Sequence, residues 1–427
     1  MEIHVVQPGD TLFRLSRQYN LPMERLIQDN QLPNPAQLVV GQALVLRFPA
    51  LTHVVREGDT LYALSQRYQV SPLQLLRNNP VLKGRDQLVP GQSLVIRYRY
   101  EPLGALTVNG YAYPSIDPEL LTATLPFLSQ LTPFTYRFTP TGALISLQDE
   151  ELLKAAIPAG VTPVFHLSSV TEEGQFSGEL AHQLLSNPVA RGRLVSAILN
   201  TVSLRGYWGV DVDFEFLYDS DASLYPQFLG QLHQALAAQG APLTVALAPK
   251  ISHDQPGRLY EGLDFSLISP QVDYALLMTY DWGWPGGPPM AVSPLPQVRQ
   301  AAEYALIHFS PQQLMLGIPN YGYDWPLPYR EGNRAVSVNN VQAVRLAWDR
   351  HAAIRFDQVA QAPWFPYVDG EGREHQVWFE DPRSIRAKVE LALELGLRGV
   401  SYWNLDRPFP QNWVALNALA EILPEEG

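Results

Sequence analysis

The hydrophobic pattern of the chain changes character near residue 100. Beyond that point, short apolar runs rich in β-branched residues alternate with segments whose apolar residues recur at helical spacing, which is typical of repeated βαβ units. Eight such units predict an α/β fold: a closed parallel (β/α)₈ TIM barrel with its active site at the carboxyl ends of the strands. The predicted strands begin at Leu106, Pro133, Val161, Gly209, Leu243, Val272, Leu314 and Leu397, with clear helical spacing at 190–204, 225–238 and 384–395.

An open, doubly wound sheet is the alternative for this pattern. It is disfavoured because no glycine-rich phosphate loop follows the first strand, where GYAYP stands at 110–114. The segment 326–376 is too long for a simple loop and carries both helical and strand patterning. It predicts a small α+β insertion between the seventh strand and its helix. The barrel as a whole is expected to occupy residues 103–427.

The first hundred residues contain an internal repeat. HVVQPGDTL at 4–12 returns 49 residues further on as HVVREGDTL at 53–61, and LVVGQALVL from Leu38 returns as LVPGQSLVI from Leu88. Each copy predicts a strand, a turn whose Asp and Thr cap the next helix, two short helices and a closing strand. These βααβ modules are expected at 1–48 and 51–98. Units so small, without a cluster of ionisable residues, suit binding better than catalysis.

Composition narrows the functional class. The 427 residues exceed one ordinary core, and 30 Lys and Arg against 42 Asp and Glu give a net charge of −12 without a basic cluster. That balance argues against nucleic acid as a partner. No run of about 18 apolar residues is present to cross a bilayer. The absence of cysteine excludes disulfides, thiol catalysis and zinc–thiolate sites.

A row of acids in GVDVDFEF, at 209–216, is the strongest chemical feature. Because side chains alternate along a strand, Asp211, Asp213 and Glu215 are predicted to face the barrel lumen together. Acids are rarely buried without partners, so three on one face indicate a functional site. Solvent-facing acids on an edge strand are the alternative, disfavoured because both faces of a parallel barrel strand are covered. Crowded carboxyl groups raise some of their pKa values, and Glu215, nearest the strand end, suits a general acid.

His166 ends the predicted third strand in VFHLSS and could be interpreted as a metal ligand. No second His or carboxylate stands at ligand spacing, so a hydrogen-bonded histidine in the lumen is the better interpretation. We expect neither a metal nor a cofactor.

The repeated module closely resembles the LysM module. In that family, the GDTL loop and the loop before the second strand flank a shallow groove for N-acetylglucosamine-containing chains, including peptidoglycan and chitin. Taken singly, Asp, Thr and Asn at such positions are more often helix caps and turn residues. The resemblance implies glycan-binding residues at Gly9, Asp10, Thr11, Leu12 and Asn30 in the first copy and at Gly58, Asp59, Thr60, Leu61, Asn78 and Asn79 in the second.

GVDVDFE resembles the DGxDxDxE signature of glycoside hydrolase family 18, with Trp208 in place of the first Asp. The resemblance implies that Glu215 protonates the glycosidic oxygen. It also implies that Asp213 steadies the substrate's acetamido group as that group attacks the anomeric carbon, and that Asp211 tunes Asp213. This is a substrate-assisted retaining route, which needs no enzyme nucleophile.

Three further stretches of the family pattern fall at predicted strand ends: MTYD at 278–281, GIPNYGYDW at 317–325 and GVSYW at 399–403. By resemblance, Tyr280 completes the catalytic set by bonding the N-acetyl carbonyl, and Trp403 forms an aromatic floor under the sugar. Singly, each aromatic residue would more often be core packing. Further substrate-binding residues are expected at Asp281, Met278, Tyr321, Tyr111 and Asn320.

Two LysM modules before a family 18 barrel, with VWFEDPRSIRAK at 377–388, resemble over the whole chain the spore-germination hydrolases of endospore-forming bacteria. This implies an N-acetylglucosaminidase acting on spore cortex peptidoglycan or its fragments. The N-terminus lacks a secretory signal pattern, which fits a location in the spore cortex or coat; an extracellular cell wall is the alternative. Peptidoglycan chains are the expected partner, with chitin oligomers second. A chitinase and a catalytically inactive, lectin-like barrel are the alternative functions.

Overall fold

The computed structural model of the chain describes residues 1–32 and 34–425. The first hundred residues form two βααβ units, and the two strands of each unit pair antiparallel. The first unit comprises β1 (Glu2–Val5), α1 (Leu12–Tyr19), α2 (Met23–Asn30) and β2 (Ala43–Leu46), and the second comprises β3 (Pro49–Val54), α3 (Leu61–Tyr68), α4 (Pro72–Asn78) and β4 (Ser93–Tyr98).

The repeated GDT turn starts the first helix of each unit. Gly9 and Gly58 have φ of +85° and +86°, a conformation that favours glycine because it has no Cβ. Thr11 and Thr60 then cap α1 and α3, each accepting a hydrogen bond from the backbone N–H three residues on. The turn chemistry that the repeat predicts is therefore the chemistry that begins these helices.

The large domain follows directly from the second unit. In chain order its elements are β5 (Gly104–Ala112), α5 (Pro118–Thr124), β6 (Gln130–Pro133), β7 (Arg137–Phe138), β8 (Leu144–Ile145), α6 (Glu150–Ala156), β9 (Thr162–Ser168), α7 (Gly178–Leu185), α8 (Pro188–Arg205), β10 (Gly209–Asp213), α9 (Leu224–Ala237), β11 (Leu243–Leu247), α10 (Phe265–Ile268), β12 (Tyr274–Leu277), α11 (Leu295–Ala305), β13 (Leu314–Pro319), β14 (Tyr321–Pro326), β15 (Val336–Asn339), α12 (Asn340–Asp349), β16 (Arg355–Asp357), β17 (Ala362–Val368), β18 (Glu374–Trp378), α13 (Pro382–Glu394), β19 (Gly399–Trp403), α14 (Pro410–Leu419) and β20 (Ala420–Ile422).

Eight of these strands close into a barrel. Neighbours in the order β5, β6, β9, β10, β11, β12, β13, β19 pair in parallel, and β19 pairs with β5 to complete the ring. The short β20 adds a parallel pairing at the start of β5. The predicted (β/α)₈ barrel is confirmed. Its predicted end, residue 427, lies outside the described residues.

The second barrel strand lies earlier than the hydrophobic pattern predicts. β6 ends at Pro133, where the predicted strand begins. The apolar run that suggested the strand leads instead into the β7–β8 hairpin, and Phe138 packs on Phe214 with ring centroids 5.1 Å apart. The hydrophobic pattern does not reveal β6, because the buried residues at its start, Ser129 and Gln130, are polar. Ser129 accepts a backbone hydrogen bond from β5, which satisfies it inside the barrel wall.

The insertion after β13 has its own antiparallel sheet, in the order β15, β14, β18, β17, β16. This sheet begins at Tyr321 and ends at Trp378, so it extends on both sides beyond the predicted 326–376. Only Asn320 separates β13 from β14. The apolar sequence therefore passes from barrel to insertion without the turn residues that would reveal the boundary.

Both N-terminal modules are fixed to the barrel through their second helices. Gln411 at the start of α14 donates to Asn30 Oδ1 at 2.8 Å, and Asn417 donates to Asn78 Oδ1 at 3.3 Å. Arg77 is buried and donates to two barrel carbonyl oxygens. The modules and the barrel thus share one continuous polar interface. None of the described helices is long and apolar enough to span a membrane.

Candidate active site

The acids of β10 lie at the centre of the barrel. Val210 and Val212 belong to the core beneath the surrounding helices, so alternation places Asp211 and Asp213 in the lumen, 2% and 6% exposed. Glu215 follows the last residue of β10 by two positions, just before Phe216 turns the chain with a φ of +58°. The three acids therefore rise from the lumen to the carboxyl end of the barrel, where catalytic groups gather in this fold.

A hydrogen-bonded network holds Asp211 in the lumen. Tyr111 on β5 donates its hydroxyl to Asp211 Oδ2 at 2.7 Å. His166 Nε2 lies 3.6 Å from the same oxygen and 3.7 Å from Asp213 Oδ2, while its Nδ1 is 2.7 Å from Thr135 Oγ1. Burial raises the pKa of Asp211 to about 6, although the imidazole and the tyrosine hydroxyl oppose the rise. Asp211 therefore keeps its proton to a higher pH than an ordinary Asp.

Glu215 has the electrostatic surroundings of a general acid. Burial raises its pKa well above the usual range, and the carboxyl groups of Asp213 and Asp281 add to the rise. Burial also raises the pKa of Tyr280, which lies near the same acids. Its hydroxyl therefore stays protonated and is able to donate a hydrogen bond. The site combines a carboxyl group that holds a proton with a neutral donor.

Two tyrosines of the insertion hold Asp281. Tyr321 and Tyr323 on β14 both donate their hydroxyls to Asp281 Oδ1, at 2.9 and 3.1 Å. Desolvation of its carboxyl group raises the pKa of Asp281, and these two bonds and the charge of Arg407 oppose the rise. Since β14 belongs to the sheet of the insertion, Asp281 joins the barrel rim to that sheet.

An aromatic surface closes one side of the cleft. Trp403 at the end of β19 lies against Phe134, Tyr111 and Tyr113, with ring centroids 4.8, 5.7 and 6.0 Å apart. Met278 packs against the same cluster. Flat rings with polar groups at their edges suit the apolar face of a sugar.

Asn320 lies behind this surface rather than on it. It is 1% exposed, and its Nδ2 donates to the carbonyl oxygen of Asn404 at 3.3 Å. Its backbone N–H also bonds to the carbonyl of Trp403. The expected sugar contact of Asn320 is corrected accordingly: this side chain ties the end of β13 to the end of β19.

The cleft contains residues that the sequence pattern did not single out. A cavity of about 470 Å³ adjoins Asp281 and Trp403. Arg407 lines it and donates to Ser337 Oγ of the insertion at 2.7 Å. Tyr113 and Tyr323 follow predicted site residues by two positions, so strand alternation could have revealed them. Nothing in the sequence marks the other residues that the insertion adds to the wall beside its tyrosines, namely Ser337, Asn339 and Gln342.

Comparison with protein families agrees with this geometry. The model of Glycosyl hydrolases family 18 matches residues 174–407, and the LysM domain model matches 4–47 and 53–97. The chain belongs to glycoside hydrolase family 18. It is a glycoside hydrolase with two N-terminal LysM modules, and glycans are the class of substrate that the barrel and the modules share.

Similar proteins cover the whole chain. The Cortical fragment-lytic enzyme of Bacillus subtilis is 39% identical over 424 residues, spanning 98% of this chain and 97% of the relative. That of Bacillus anthracis is 37% identical, spanning 97% of each. Among solved structures, the Bacillus megaterium spore cortex-lytic enzyme SleL aligns with a TM-score of 0.84 at 33% identity and covers 99% of both chains. The Bacillus cereus SleL aligns with a TM-score of 0.82 at 35% identity and covers 98% of both.

The departure from the family 18 signature lies away from the acids. Trp208 precedes β10 by one residue and Glu215 by seven, which at about 3.3 Å per residue separates them by roughly 20 Å along the chain. Its ring stacks on Tyr274, with centroids 6.2 Å apart. Trp208 is thus a packing residue at the amino end of the barrel strand. The exchange leaves Asp211 and Asp213 at their positions in the lumen.

The residues of the two LysM GDTL loops mostly build the loops themselves. Asp10 accepts hydrogen bonds from the backbone of Gln7 and lies 2.9 Å from His4 Nε2. Asp59 repeats these contacts in the second module. Leu12 and Leu61 are buried in the two small cores, so their expected glycan contact is corrected to a packing role. The residues that follow these leucines, Phe13 and Tyr62, are 65% and 68% exposed.

The LysM asparagines also have internal partners. Asn30 and Asn79 are buried, and each bridges its helix to the closing strand by donating to two carbonyl oxygens and accepting one N–H. Asn78 is buried and donates to the carbonyl oxygen of Ile96. The expected glycan contacts of these three residues are corrected, because their hydrogen-bonding groups already serve the module fold and its contact with the barrel.

Proposed function

We propose that this chain hydrolyses N-acetylglucosaminyl bonds of spore cortex peptidoglycan, or of its fragments, during germination. The observation that carries the proposal is Glu215, half-buried with a raised pKa near Asp213 and Tyr280 at the mouth of a barrel lined by Trp403. The choice of cortex rests on the similarity, over 97–98% of the chain, to the Cortical fragment-lytic enzymes of Bacillus subtilis and Bacillus anthracis. The same similarity supports a location in the spore.

Each side chain of the site has a chemical task in this proposal. Glu215 donates its proton to the glycosidic oxygen as the bond from that oxygen to the anomeric carbon breaks. The carbonyl oxygen of the sugar's own acetamido group forms the new bond to the anomeric carbon. Asp213 accepts a hydrogen bond from the acetamido N–H, and the Tyr280 hydroxyl donates a hydrogen bond to the acetamido oxygen. Water then attacks the anomeric carbon, the bond from that carbon to the acetamido oxygen breaks, and the water gives a proton to Glu215, which restores the acid with retention of configuration.

Asp211 and Asp281 support this chemistry from either side. Asp211, held by Tyr111, keeps its proton up to about pH 6 and so limits charge repulsion with Asp213 in the lumen below that pH. Asp281, fixed by two tyrosine hydroxyls, lies where it can hold the sugar between the barrel rim and the insertion.

The raised pKa of Glu215 gives the proposal a pH dependence. An ordinary Glu loses its proton well below neutral pH, whereas the raised pKa of Glu215 keeps that residue protonated to a higher pH. We expect kcat/KM to fall as pH rises through the pKa of Glu215, because the deprotonated enzyme has no acid for the leaving group. A pH profile without this alkaline limb would contradict the assignment.

The proposal is tested by digesting intact cortex peptidoglycan, muramidase-cut cortex fragments and chitin oligomers separately, with new reducing ends identified by mass spectrometry. New N-acetylglucosamine ends from cortex material, with few from chitin, are expected. Efficient cleavage of chitin in place of cortex would make the chain a chitinase. Binding without cleavage of any of the three would identify a lectin.

Replacing Glu215 by Gln isolates the acid. The amide has no proton to donate, so turnover is expected to fall by about 10²- to 10⁴-fold while substrate binding persists. Glu303→Gln is the matched control, since Glu303 is an exposed residue of α11 with only an ion pair of 3.6 Å to Arg299. Unchanged turnover in the Glu215→Gln variant would refute the mechanism.

A further inference from the structure

A second cavity lies away from the catalytic cleft, between the first LysM module and the insertion. Its volume is about 370 Å³, within the roughly 300–1,000 Å³ typical of small-molecule sites. The module supplies residues 30–32, 34, 37 and 42, the insertion supplies one side of α12, and the residues at the starts of α13 and α14 complete the wall. Four parts of the chain thus build one compartment.

The wall of this cavity suits an uncharged ligand with many hydroxyl or amide groups. Seven of its lining residues have side-chain amides, among them Gln31, Asn34 and Gln37. Each side-chain amide both donates and accepts, as do sugar hydroxyl and acetamido groups. Trp348 and Phe409 add aromatic surface, the type of surface that packs on the apolar face of a pyranose.

Charge pairing argues against an ionic ligand. A free metal ion or phosphate would need unpaired charges of the opposite sign in the wall. The charged residues of the wall are instead paired, Glu380 with Lys388 at 2.8 Å, Asp381 with Arg383 at 2.6 Å and Arg345 with Asp349 at 3.8 Å. The cavity therefore offers neutral hydrogen-bonding groups in preference to a net charge.

Two buried polar groups of the wall lack a partner within the described part of the chain. Asn340 is 2% exposed, and its Oδ1 accepts the backbone N–H of Glu380, but its Nδ2 is unbonded. Glu380 is 1% exposed, and its Oε2 bonds to Lys388 while Oε1 is unbonded. Buried polar groups are nearly always satisfied by protein, water or ligand. Both residues belong to the wall, but these two atoms are themselves enclosed by protein, so a ligand in the cavity is held by exposed amides of the wall such as Gln37.

The cavity adjoins the catalytic cleft across a short wall. At the start of α12, Asn339 and Gln342 line the cleft while Asn340 lines the cavity. On the barrel side, Arg407 lines the cleft and Phe409 lines the cavity. On each side, residues one or two positions apart in sequence thus line the two compartments, so the cavity and the cleft are neighbours.

We propose that this cavity is a second binding site for an N-acetylglucosamine-containing oligosaccharide, holding part of the polymer whose scissile bond lies in the catalytic cleft. The identity of the sugar rests on the proposed function. A second site on the same chain raises the effective concentration of long substrates at the cleft. It therefore lowers KM for long fragments and leaves the turnover of short substrates unchanged.

The test measures kcat and KM of the full chain on long cortex fragments and on a small aryl N-acetylglucosaminide. Gln37→Ala removes an exposed amide of the module side of the cavity, and Trp348→Leu removes the aromatic surface of the insertion side. Gln87→Ala is the matched control, because Gln87 precedes LVPGQ as Gln37 precedes LVVGQ but lies outside the cavity. Both cavity variants are expected to raise KM for long fragments about three- to tenfold, with kcat and the small substrate unaffected.

The outcomes separate the alternatives. Unchanged KM in both cavity variants overturns the proposal. An equal rise in the Gln87→Ala variant also overturns it, because the effect then belongs to the LysM modules themselves. No cleavage of any substrate by the unsubstituted chain contradicts the proposed function instead. In that case a crystal structure of Glu215→Gln soaked with an N-acetylglucosamine tetramer decides: sugar in the cavity supports the site, and water alone refutes it.

Discussion

Replacing Asp211 by Asn is expected to stabilise the protein at neutral pH while reducing its activity. Burial raises the pKa of Asp211 from 3.8 to about 6, so the folded state binds a proton that the unfolded state has already released between these values. Stability therefore falls as pH rises from about 4 to about 6. Above pH 6 the loss is complete and amounts to about 3 kcal/mol, since one pKa unit corresponds to about 1.36 kcal/mol.

Asparagine has no such proton to lose and can still accept the hydroxyl of Tyr111 at its amide oxygen. The stability difference between variant and parent should therefore be near zero at pH 4 and reach about 3 kcal/mol at pH 7. For a barrel domain of roughly 320 residues, an unfolding entropy of about 2.1 cal/mol/K per residue converts this to a Tm increase of about 4 °C. Calorimetric scans of both proteins at pH values from 4 to 8 measure it.

Asp254→Asn is the matched control, because that side chain is 98% exposed and has only a 3.9 Å contact to His253. Its Tm difference from the parent should not change with pH. If the Asp211→Asn difference is equally independent of pH, Asp211 does not titrate in this range and the reasoning fails. Lower turnover in the stabilised variant would show that the buried acid is retained for function at the expense of stability.

Three further experiments test the framework of the site. Asn79→Ala removes three buried hydrogen bonds and should destabilise the second LysM module by about 2–4 kcal/mol in thermal unfolding. Glycan binding should be retained at low temperature, where the module is folded. Loss of binding in the folded variant would instead indicate that Asn79 contacts the glycan. Lys388→Met leaves Glu380 buried without its cation and should lower the free energy of unfolding in urea by about 3–5 kcal/mol. Replacing Glu380 by Met as well should restore this stability. A double variant as unstable as Lys388→Met would disprove the pairing argument. Gly41→Ala and Gly91→Ala both place a Cβ at a φ near +85°, which costs about 1–2 kcal/mol of stability in each variant. Only at Gly41 would the new Cβ also meet the backbone of the insertion, at 1.8 Å, so faster proteolysis of the first module is expected for Gly41→Ala alone. Equal proteolysis rates for the two variants would argue against docking of the first module on the insertion.

The arrangement of the acids illustrates what local geometry allows. Strand alternation is a property of the backbone, so GVDVDFEF alone predicts that Asp211 and Asp213 share the face opposite Val212. Their surroundings were beyond such an argument. Tyr111 lies 100 residues from Asp211 in sequence, and the histidine beside both acids comes from a neighbouring strand. The pKa values depend on that enclosure rather than on the motif.

The LysM asparagines show the limit of motif reasoning. An Asn at a helix end can cap the helix, bridge the helix to a strand or contact a sugar, so the sequence alone does not distinguish these three roles. Asn30 is a strut because β2 returns against α2 and brings Val45 within hydrogen-bonding distance. The missed β6 has the same origin, since buried Ser129 and Gln130 resemble surface residues in a hydrophobic pattern.

The sequence by itself determined the elements with a strong local period: the repeated modules, the barrel strands whose two faces are both buried, and the face on which the β10 acids lie. These follow from side-chain alternation, capping and turn chemistry, which act over a few residues. Only the tertiary structure decided the insertion's wall of the cleft, the docking of the modules and the second cavity. Those features depend on contacts such as Gln411 with Asn30, 381 residues apart, and such contacts exist only after the barrel has closed and fixed both surfaces in space.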